Sequence, residues 1–260
     1  YPGEGPARFL GTNAEGLNEW DKFESLLSRA IRMRVDAIFV QEHKWARKRL
    51  LAAAHRARIG GYVLHAAARD DGASGGGTAV LVRVGSDAVR VDKDVRPVCK
   101  HDGRYCCIRA TVEGVNTRLI SVYVPSKAGE RVPFLKKVRE EADAFRKTDI
   151  INGDFNCVPD VAYDTRYPEG VITKYANRGG DLLNSIMGTR GLADTWREFH
   201  GEHARAYTRH GSVYTRLDRF YTQQYNSPWR IHRVHIDHTL LKGARWDSDH
   251  SSVLLELTTA

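Results

Sequence analysis

Short apolar segments that end in polar residues recur along this chain, and they constrain its fold more than any other feature. The clearest example is Ile150-Ile151, which is followed by Asn152-Gly153-Asp154-Phe155-Asn156. An apolar run that ends in a turn-prone segment predicts a strand that delivers polar side chains to its C-terminal edge. Open α/β sheets hold their chemistry at that edge. Taken alone, the segment is equally compatible with an ordinary strand-to-loop exit, because Asn-Gly turns are common.

Length and composition favour one domain over residues 1–260. The chain has 260 residues and 42% hydrophobic content, so it can bury a large core. It contains no linker-like tract and no repeat of fixed period. No apolar run approaches the roughly 18 residues that a membrane span needs, and no targeting signal is visible, so we expect a soluble protein. The chain starts at Tyr1 rather than Met, so we expect it to be excised from a longer polyprotein.

Cysteine usage and charge limit the class of protein further. The four cysteines, Cys99, Cys106, Cys107 and Cys157, lack the short spacings of a zinc site or of a small disulfide scaffold. We therefore expect reduced, mostly buried thiols and a cytosolic or nuclear compartment. Forty Lys and Arg against 32 Asp and Glu give a net charge of +8. This charge suits a polyanionic partner but does not identify one.

Hydrophobic periodicity predicts a mixture of helices and mostly antiparallel strands. Helical spacing of apolar residues predicts helices at 20–33, 45–58, 132–145 and 180–187, the first capped by Asn18. Alternating or continuous apolar runs predict strands at 9–12, 37–40, 62–66, 78–83, 88–91, 106–112, 117–124, 149–151, 212–221, 230–241 and 253–257. The polar segment 158–175 predicts a long functional loop that carries Asp164 and Arg166. Asp237-His238 lies inside a predicted strand, and surface decoration is its simpler interpretation.

Polar side chains at the ends of these strands form a candidate metal site. They are Asn13, Glu15, Glu42, Tyr123, Asp154, Asn156, Asp218, Asp249 and His250. Several carboxylates with one imidazole suit a hard, oxygen-ligated cation better than zinc, so Mg²⁺ is the expected ion, with Mn²⁺ as a substitute. A magnesium ion held by one or two carboxylates keeps positions open for a phosphate oxygen. A further carboxylate can orient water, and an imidazole paired with a carboxylate can donate to the phosphoryl group.

Six motifs in this order resemble the endonuclease/exonuclease/phosphatase superfamily, and the resemblance spans nearly the whole chain. They are Asn13-x-Glu15, Gln41-Glu42, Tyr123-x-Pro125, Gly153-Asp154-x-Asn156, Arg216-Leu217-Asp218 and Ser248-Asp249-His250. Three further stretches most resemble the apurinic-like endonuclease domain of LINE-type (non-LTR) retrotransposons: Asp194-x-Trp196-Arg197, Tyr207-Thr208 and 216–221. Such a domain normally precedes a reverse transcriptase.

The resemblance implies an α/β fold and a set of metal ligands. The fold is a four-layered α/β sandwich, with two mostly antiparallel β-sheets packed face to face and flanked by helices, and the site lies at one edge of the sandwich. Glu42 is implied as the main metal carboxylate, with Asn13, Glu15 and Asp249 near the ion. Repair relatives carry Asp at the position of Glu15, and some retrotransposon relatives carry Asn. This sequence therefore departs from both groups at one of its expected metal contacts.

The resemblance also implies the catalytic roles. Asp154 would orient the attacking water, with Asn156 beside it. His250 would contact the scissile phosphate while Asp218 fixes its ring, and Tyr123 would bind or polarise the phosphate from the far side.

Candidate substrate contacts lie on two loops. Ser126 stands where relatives usually carry Asn, so a DNA contact there would be made differently. Arg209, His210 and Arg216 lie in the segment 209–216, where retrotransposon relatives place a hairpin that enters a DNA groove. Thr208, a further candidate substrate contact, directly precedes this segment. We expect Arg209, His210 and Arg216 to touch DNA, whereas an ordinary solvated basic turn is the alternative.

Together these features predict a magnesium-dependent endonuclease that cuts double-stranded DNA and leaves a 3′-hydroxyl. Its expected role is to nick target DNA in the nucleus for target-primed reverse transcription, fused to a reverse transcriptase in the parent protein. The alternatives are an abasic-site DNA-repair endonuclease, a small-phosphoester phosphatase, and a silent DNA-binding module. Retention of Glu42, Asp154 and His250 argues against the silent module, and the basic charge argues against the phosphatase.

Overall fold

A computed structural model describes residues 5–68, 76–91, 96–142, 148–169, 177–242 and 247–260. The strands are β1 (Ala7–Asn13), β2 (Ala37–Gln41), β3 (Tyr62–Ala67), β4 (Thr78–Arg83), β5 (Val89–Val91), β6 (Val98–Lys100), β7 (Tyr105–Val112), β8 (Val115–Tyr123), β9 (Ile150–Asp154), β10 (Thr165–Arg166), β11 (Leu192–Asp194), β12 (Arg209–His210), β13 (Tyr214–Thr215), β14 (Asp218–Gln223), β15 (Trp229–Asp237) and β16 (Ser252–Thr259). The helices are α1 (Trp20–Arg32), α2 (Leu50–Ile59), α3 (Ala128–Ala142), α4 (Val161–Asp164), α5 (Gly180–Thr189) and α6 (Thr195–His200), with a 3-10 turn at Arg47–Arg49 before α2.

These strands form two large sheets and one small one. The first sheet has the order β15-β16-β1-β2-β4-β3, and the second has the order β11-β14-β9-β8-β7-β5, with β6 paired to β7. Most neighbours are antiparallel, but β1 pairs with β2 and β8 pairs with β9 in parallel. The small sheet, β10-β13-β12, lies outside both large sheets.

Strand alternation divides the buried residues into three clusters, which makes the molecule four layers thick. Phe9 and Ile150 lie between the two sheets, whereas their chain neighbours Leu10 and Ile151 point outward. The outer face of the first sheet packs against α1 and α2. The outer face of the second sheet packs against α3 and α5. The predicted four-layered sandwich of two mostly antiparallel sheets is therefore confirmed.

Several predicted elements differ locally from the structure. Helix α1 is preceded by Glu19 without a side-chain cap, so the prediction that Asn18 caps it is wrong. The predicted strand 212–221 is two strands, because the chain leaves the small sheet after Thr215 and enters the second large sheet at Asp218. Strand β6 was not predicted. The ends of the predicted helix 132–145 and loop 158–175 lie outside the described residues.

Among the residues with described positions, none of the helices has the length and apolar character required to cross a membrane.

Candidate active site

Strand direction brings the polar strand ends together at one edge of the sandwich. Because β1 and β2 are parallel, Asn13 lies opposite Gln41 at their C-terminal ends. The parallel pair β8 and β9 places Tyr123 opposite Asp154 in the same way, and Asp218 at the start of antiparallel β14 lies on the other side of Asp154. Strand β16 runs antiparallel to β1, so the residues before it reach this same edge.

A layer of carboxamides joins the two sheets beneath this edge. The Gln41 Nε2 atom donates to Ser121 Oγ at 2.9 Å and to Asn152 Oδ1 at 3.0 Å, and Asn152 Nδ2 donates to the Arg219 carbonyl at 3.0 Å. A Cβ atom on Gly11 would lie 2.1 Å from Asn152 Nδ2. Glycine is therefore required at position 11, because the sheets approach too closely there for any side chain.

Asp154 is a buried carboxylate held by two carboxamide side chains. Its Oδ2 atom accepts from Asn13 Nδ2 at 2.8 Å and from Asn156 Nδ2 at 3.1 Å, and its Oδ1 accepts from the Asn156 backbone N–H at 2.9 Å. Burial first, and the charge of Asp218 second, raise the pKa of Asp154 to about 7, although the His250 charge and these hydrogen bonds lower it. A carboxylate with this pKa is suited to accept a proton near neutral pH.

His250 and Asp218 form a buried ion pair beside Asp154. The His250 Nδ1 atom lies 2.9 Å from Asp218 Oδ2. Burial alone would lower the pKa of the imidazole, but Asp218 outweighs burial and raises the pKa of His250 to about 10. The imidazole is therefore cationic at neutral pH. The nearest acid to its Nε2 atom among the described ion pairs is Asp249 Oδ1 at 3.7 Å, beyond hydrogen-bond distance. The Nε2–H can therefore donate to an anion, which fits a phosphate-binding or proton-donating role better than the role of a base.

Glu42 and Tyr123 join the two sheets on the far side of the site. The Tyr123 hydroxyl donates to Glu42 Oε1, and Lys44 Nζ lies 3.3 Å from Glu42 Oε2. Burial and the Glu42 charge raise the pKa of Tyr123, so its hydroxyl remains a donor. The guanidinium of Arg104 lies over the Tyr123 ring, 4.9 Å from the centroid.

Glu15 and Asp249 supply a second pair of acids at the mouth of the site. Their side chains are hydrogen-bonded to each other, and the Asp249 backbone N–H donates to Glu15 Oε2 at 3.2 Å. Burial and then Asp249 raise the pKa of Glu15, whereas hydrogen bonding to Glu15, together with His250 and Arg209, holds the pKa of Asp249 low despite burial. The pKa values of the two acids are therefore shifted in opposite directions by their contact. Contact between two acids is the arrangement that a bound cation stabilises.

The donor set fits a hard cation. Single ligand atoms of Asp154, Asp218 and His250 lie within 4.8 Å of one another, and Asp218 Oδ1 is buried with no hydrogen-bond partner among the described residues. Glu42 does not belong to that tight group, although its strand end lies at the same edge. Oxygen atoms dominate all of these contacts, as Mg²⁺ and Mn²⁺ require.

The backbone at this edge adopts left-handed conformations that side chains disfavour. Glu15, Glu42 and Asn156 have φ values of 49°, 53° and 49°. Such conformations each cost about 1–3 kcal/mol and concentrate at functional sites, where the surrounding structure enforces them. Glu42 directly follows β2, and Glu15 and Asn156 lie two residues beyond β1 and β9, so all three strained residues lie at the edge that carries the site.

Two predicted substrate contacts are wrong, and three retain accessible positions. Thr208 is fully buried, and its Oγ1 accepts from the backbone N–H groups of Leu217 and Asp218, so it positions Asp218 and does not reach substrate. Arg216 is 1% exposed and is held by buried acids, so its expected DNA contact is wrong. Ser126 and His210 are exposed. Arg209 is half-buried, and its Nε atom lies 2.9 Å from Asp249 Oδ2.

Arg216 belongs to a buried ion cluster that the sequence did not reveal. Asp164 lies within 2.6–3.1 Å of guanidinium atoms of Arg197, Arg216 and Arg219, and Asp194 lies 2.7 Å from Arg216 and 3.2 Å from Arg219. Two motifs that carried the retrotransposon resemblance, Asp194-x-Trp196-Arg197 and 216–221, are thus joined inside the protein. The cluster flanks Asp218, which lies between two of its arginines.

His238, which was interpreted from the sequence as surface decoration, lies near the site. His238 Nδ1 lies 2.8 Å from Ser251 Oγ, and its ring packs edge-on against His210 with centroids 5.1 Å apart. Asp237 instead bonds the backbone N–H and hydroxyl of Thr239. His238 is exposed, so it lies on the surface as expected, but next to the residue that follows His250.

Comparisons with known proteins bear on the family and the fold of the chain. The model of the Endonuclease/Exonuclease/phosphatase family matches residues 11–257. A search of curated proteins by sequence returned no match. An AP endonuclease from Archaeoglobus fulgidus is 16% identical with a TM-score of 0.71, over 96% of this chain and 98% of that one. The AP endonuclease LMAP from Leishmania major is 16% identical with a TM-score of 0.76, over 100% and 90%.

A third solved structure is the endonuclease domain of TRAS1, a telomere-specific non-LTR retrotransposon. It is 15% identical with a TM-score of 0.66, over 98% of this chain and 99% of that one. At these identities the three structures establish the shared fold.

Proposed function

The chain belongs to the endonuclease/exonuclease/phosphatase family, and from this membership we propose that it is a Mg²⁺-dependent endonuclease that hydrolyses phosphodiesters of double-stranded DNA and leaves a 3′-hydroxyl. One observation carries the proposal. Asp154, with a pKa near neutrality, lies beside the cationic His250–Asp218 pair at a single edge of the sandwich.

These side chains divide the reaction between them. Asp154, held in place by Asn13 and Asn156, orients the attacking water and accepts its proton. His250 donates to the phosphoryl group, because its pKa keeps it protonated. The Tyr123 hydroxyl, which now donates to Glu42, binds or polarises the phosphate from the far side.

The metal would be held by Glu42, with Asn13, Glu15 and Asp249 near it. When bound, a divalent ion supplies positive charge that stabilises the phosphate and the leaving oxygen. The Glu15–Asp249 acid pair supports this assignment, because a bound cation would offset the repulsion between two adjacent carboxylates. We propose Mg²⁺, with Mn²⁺ as a substitute.

The biological role follows from the motifs. We propose that the enzyme nicks target DNA for target-primed reverse transcription in the nucleus, as part of a longer protein that carries a reverse transcriptase. The retrotransposon-like motifs at 194–197, 207–208 and 216–221 support this role, and the fold shared with the TRAS1 domain is compatible with it. A net charge of +8 suits a polyanionic substrate.

Nicking of supercoiled plasmid tests the activity. Wild-type protein should produce open circles with Mg²⁺ and none with EDTA, and Asp154→Asn should lose about 10²–10⁴-fold in rate. Asp87→Asn makes the same chemical change at an exposed turn and should behave like wild type. Nicks that a DNA polymerase extends without prior phosphatase treatment would carry the expected 3′-hydroxyl.

Two outcomes would contradict the proposal. Equal nicking by Asp154→Asn and wild type would remove Asp154 from the mechanism, and no nicking with either Mg²⁺ or Mn²⁺ would remove the nuclease. A strong preference for a duplex with one abasic site over an intact duplex would instead identify an abasic-site repair enzyme. Hydrolysis of small phosphoesters alone would identify a phosphatase.

A further inference from the structure

Two cysteines face each other across a strand pair beside the active site. Cys99 on β6 lies directly opposite Cys106 on antiparallel β7. Directly opposed residues on antiparallel strands have Cβ atoms about 4.5–5.5 Å apart, and a disulfide requires about 3.5–4.5 Å. A small closure of the strand pair would therefore join the two sulfur atoms.

The sulfur contacts show that both thiols lie on the same side of the β6–β7 strand pair. Cys99 Sγ lies 3.6 Å from the carbonyl oxygen of Ala66, and Cys106 Sγ lies 3.5 Å from the carbonyl oxygen of His65. These two acceptors are consecutive residues of β3, so both side chains point to one side of the strand pair. The thiols are also hydrogen-bonded to each other.

The two thiols differ in access to solvent. Cys99 is exposed and Cys106 is fully buried. The hydrogen bond from Cys106 lowers the pKa of Cys99 against the opposing effect of burial, and the same bond raises the pKa of Cys106. The exposed thiol is therefore the better nucleophile. Such a thiol beside a second cysteine is typical of redox-sensitive sites.

We propose that Cys99 and Cys106 form a peroxide-sensitive thiol pair, in which Cys99 is oxidised first and Cys106 resolves it to an intramolecular disulfide. In the first step the Cys99 thiolate attacks one oxygen of hydrogen peroxide, the O–O bond breaks, and hydroxide leaves, which takes up a proton to become water. Cys99 becomes a sulfenic acid by this two-electron oxidation. In the second step the Cys106 sulfur attacks the Cys99 sulfur, the S–O bond breaks, and a second water leaves with the Cys106 proton.

The remaining cysteines cannot take the place of Cys106. Cys107 follows it in β7 and points to the opposite face, where it packs with Cys157 in the core between the second sheet and its helices. Cys106 instead packs between the sheets. The pleat of β7 thus selects one partner for Cys99.

A disulfide at this position would close the turn that supports Tyr123. The turn between β6 and β7 carries Arg104, whose guanidinium lies over the Tyr123 ring and whose carbonyl accepts from the Tyr123 backbone N–H at 2.9 Å. His101 and Asp102 in this turn both have φ of 56°. Oxidation would therefore fix a strained turn at the edge of the site.

Thiol counting and mass spectrometry of the reduced full chain test the pair without any nuclease assay. After hydrogen peroxide treatment, wild-type protein should lose two of its four thiols, lose the mass of two hydrogen atoms, and yield a Cys99–Cys106 cross-linked peptide. Dithiothreitol should restore both thiols. Cys99→Ser should keep its Cys106 thiol and form no intramolecular disulfide. Cys106→Ser should accumulate sulfinic acid on Cys99, which dithiothreitol does not reverse.

Matched variants keep the test decisive. Cys107→Ser and Cys157→Ser should oxidise like wild type, and Cys106→Ala provides a second variant if Cys106→Ser fails to fold by circular dichroism. A cross-link that involves Cys107 or Cys157 would overturn the proposal. Sulfinic acid on Cys99 in wild-type protein without a disulfide would also overturn it, as would four unreacted thiols under conditions that oxidise free cysteine.

Discussion

Replacing Asp164 with asparagine removes the central charge of the buried ion cluster. Asp164 is 1% exposed, and its carboxylate lies 2.6 Å from Arg197, 2.8 Å from Arg216 and 3.1 Å from Arg219. Asparagine preserves the shape of the side chain, so the variant changes charge with little change of volume. The prediction is that this one charge holds the loop around α4 against the strand that carries Asp218.

The expected loss in the free energy of unfolding depends on how many arginines are left without an acidic partner. Removal of one member of a buried ion pair costs about 3–5 kcal/mol, because the other charge is left uncompensated. Asp194 also binds Arg216 and Arg219, so those two guanidinium groups keep a partner. Arg197 keeps only the Ala204 carbonyl among the hydrogen bonds of the described residues. We therefore expect a loss of about 4 kcal/mol in the free energy of unfolding, equivalent to a fall in Tm of about 8–16 °C for a chain of this size.

Urea unfolding at pH 7 measures this loss. Burial would raise the pKa of Asp164, but the three arginines outweigh burial and lower it. A carboxyl with a depressed folded-state pKa stabilises the protein above its unfolded pKa of about 4 and loses that effect as pH falls further. The full effect is therefore present at pH 7. Asp87→Asn, at an exposed turn, is the matched control and should change stability by less than about 0.5 kcal/mol.

The reasoning would be refuted by an Asp164→Asn variant whose free energy of unfolding lies within about 1 kcal/mol of the control. Activity supplies a second readout. Because Arg216 and Arg219 flank Asp218, nicking by the folded variant should fall even at temperatures where circular dichroism shows no unfolding. Unchanged nicking would show that the cluster does not position Asp218.

Three further predictions concern the site, the sheet contact and the hairpin. The nicking rate should rise with pH at or below pH 7 as Asp154 loses its proton, and it should fall near pH 10 as His250 loses its proton. Asp218→Asn should move this alkaline fall to lower pH, and an unmoved fall would contradict the ion pair. Gly11→Ala should destabilise the protein by about 1–3 kcal/mol in urea titrations, whereas Gly188→Ala, in open space within α5, should stabilise it by about 0.5–1 kcal/mol; equal effects would contradict the close approach. Arg209→Ala should weaken DNA binding and reduce the salt slope by about one, and an unchanged slope would show that Arg209 touches no phosphate.

Much of the fold and the meeting of the strand ends could be predicted from sequence. Asn13, Asp154 and Asp218 each stand at a strand end, and parallel or antiparallel pairing carries such residues to a common edge. The sequence could also predict the family, because the order of motifs along the chain does not depend on knowing which strands pair. The roles assigned to individual side chains remain predictions.

Burial of charged residues could not be predicted, because it depends on contacts between distant segments. Arg216 looked like an exposed basic residue of a hairpin, but Asp164 and Asp194 reach it from two other segments. The prediction of one continuous strand at 212–221 could not reveal this burial, because β13 ends at Thr215 and β14 begins at Asp218, and Arg216 lies in the break between them. The predicted substrate contact of Thr208 was wrong for a related reason, because its hydroxyl accepts hydrogen bonds from the backbone N–H groups of Leu217 and Asp218 after this break. The pairing of Cys99 with Cys106 was missed because strand β6 was not predicted.

Strand register, more than residue type, accounts for the raised pKa values of Asp154 and His250. Asp218 lies opposite Asp154 across β14 and β9, so the two carboxylates repel each other and only one can hold its charge easily. His250 reaches this edge ahead of β16 and pairs with Asp218, which leaves Asp154 as the carboxylate with the raised pKa. A shift of β14 by one residue would turn Asp218 to the other face of the sheet and remove both perturbations at once. The buried ion cluster holds β14 in this register, because two of its arginines lie on either side of Asp218. Arg216, which the sequence suggested would face DNA, is therefore expected to act on the site from within the protein, through the position of Asp218.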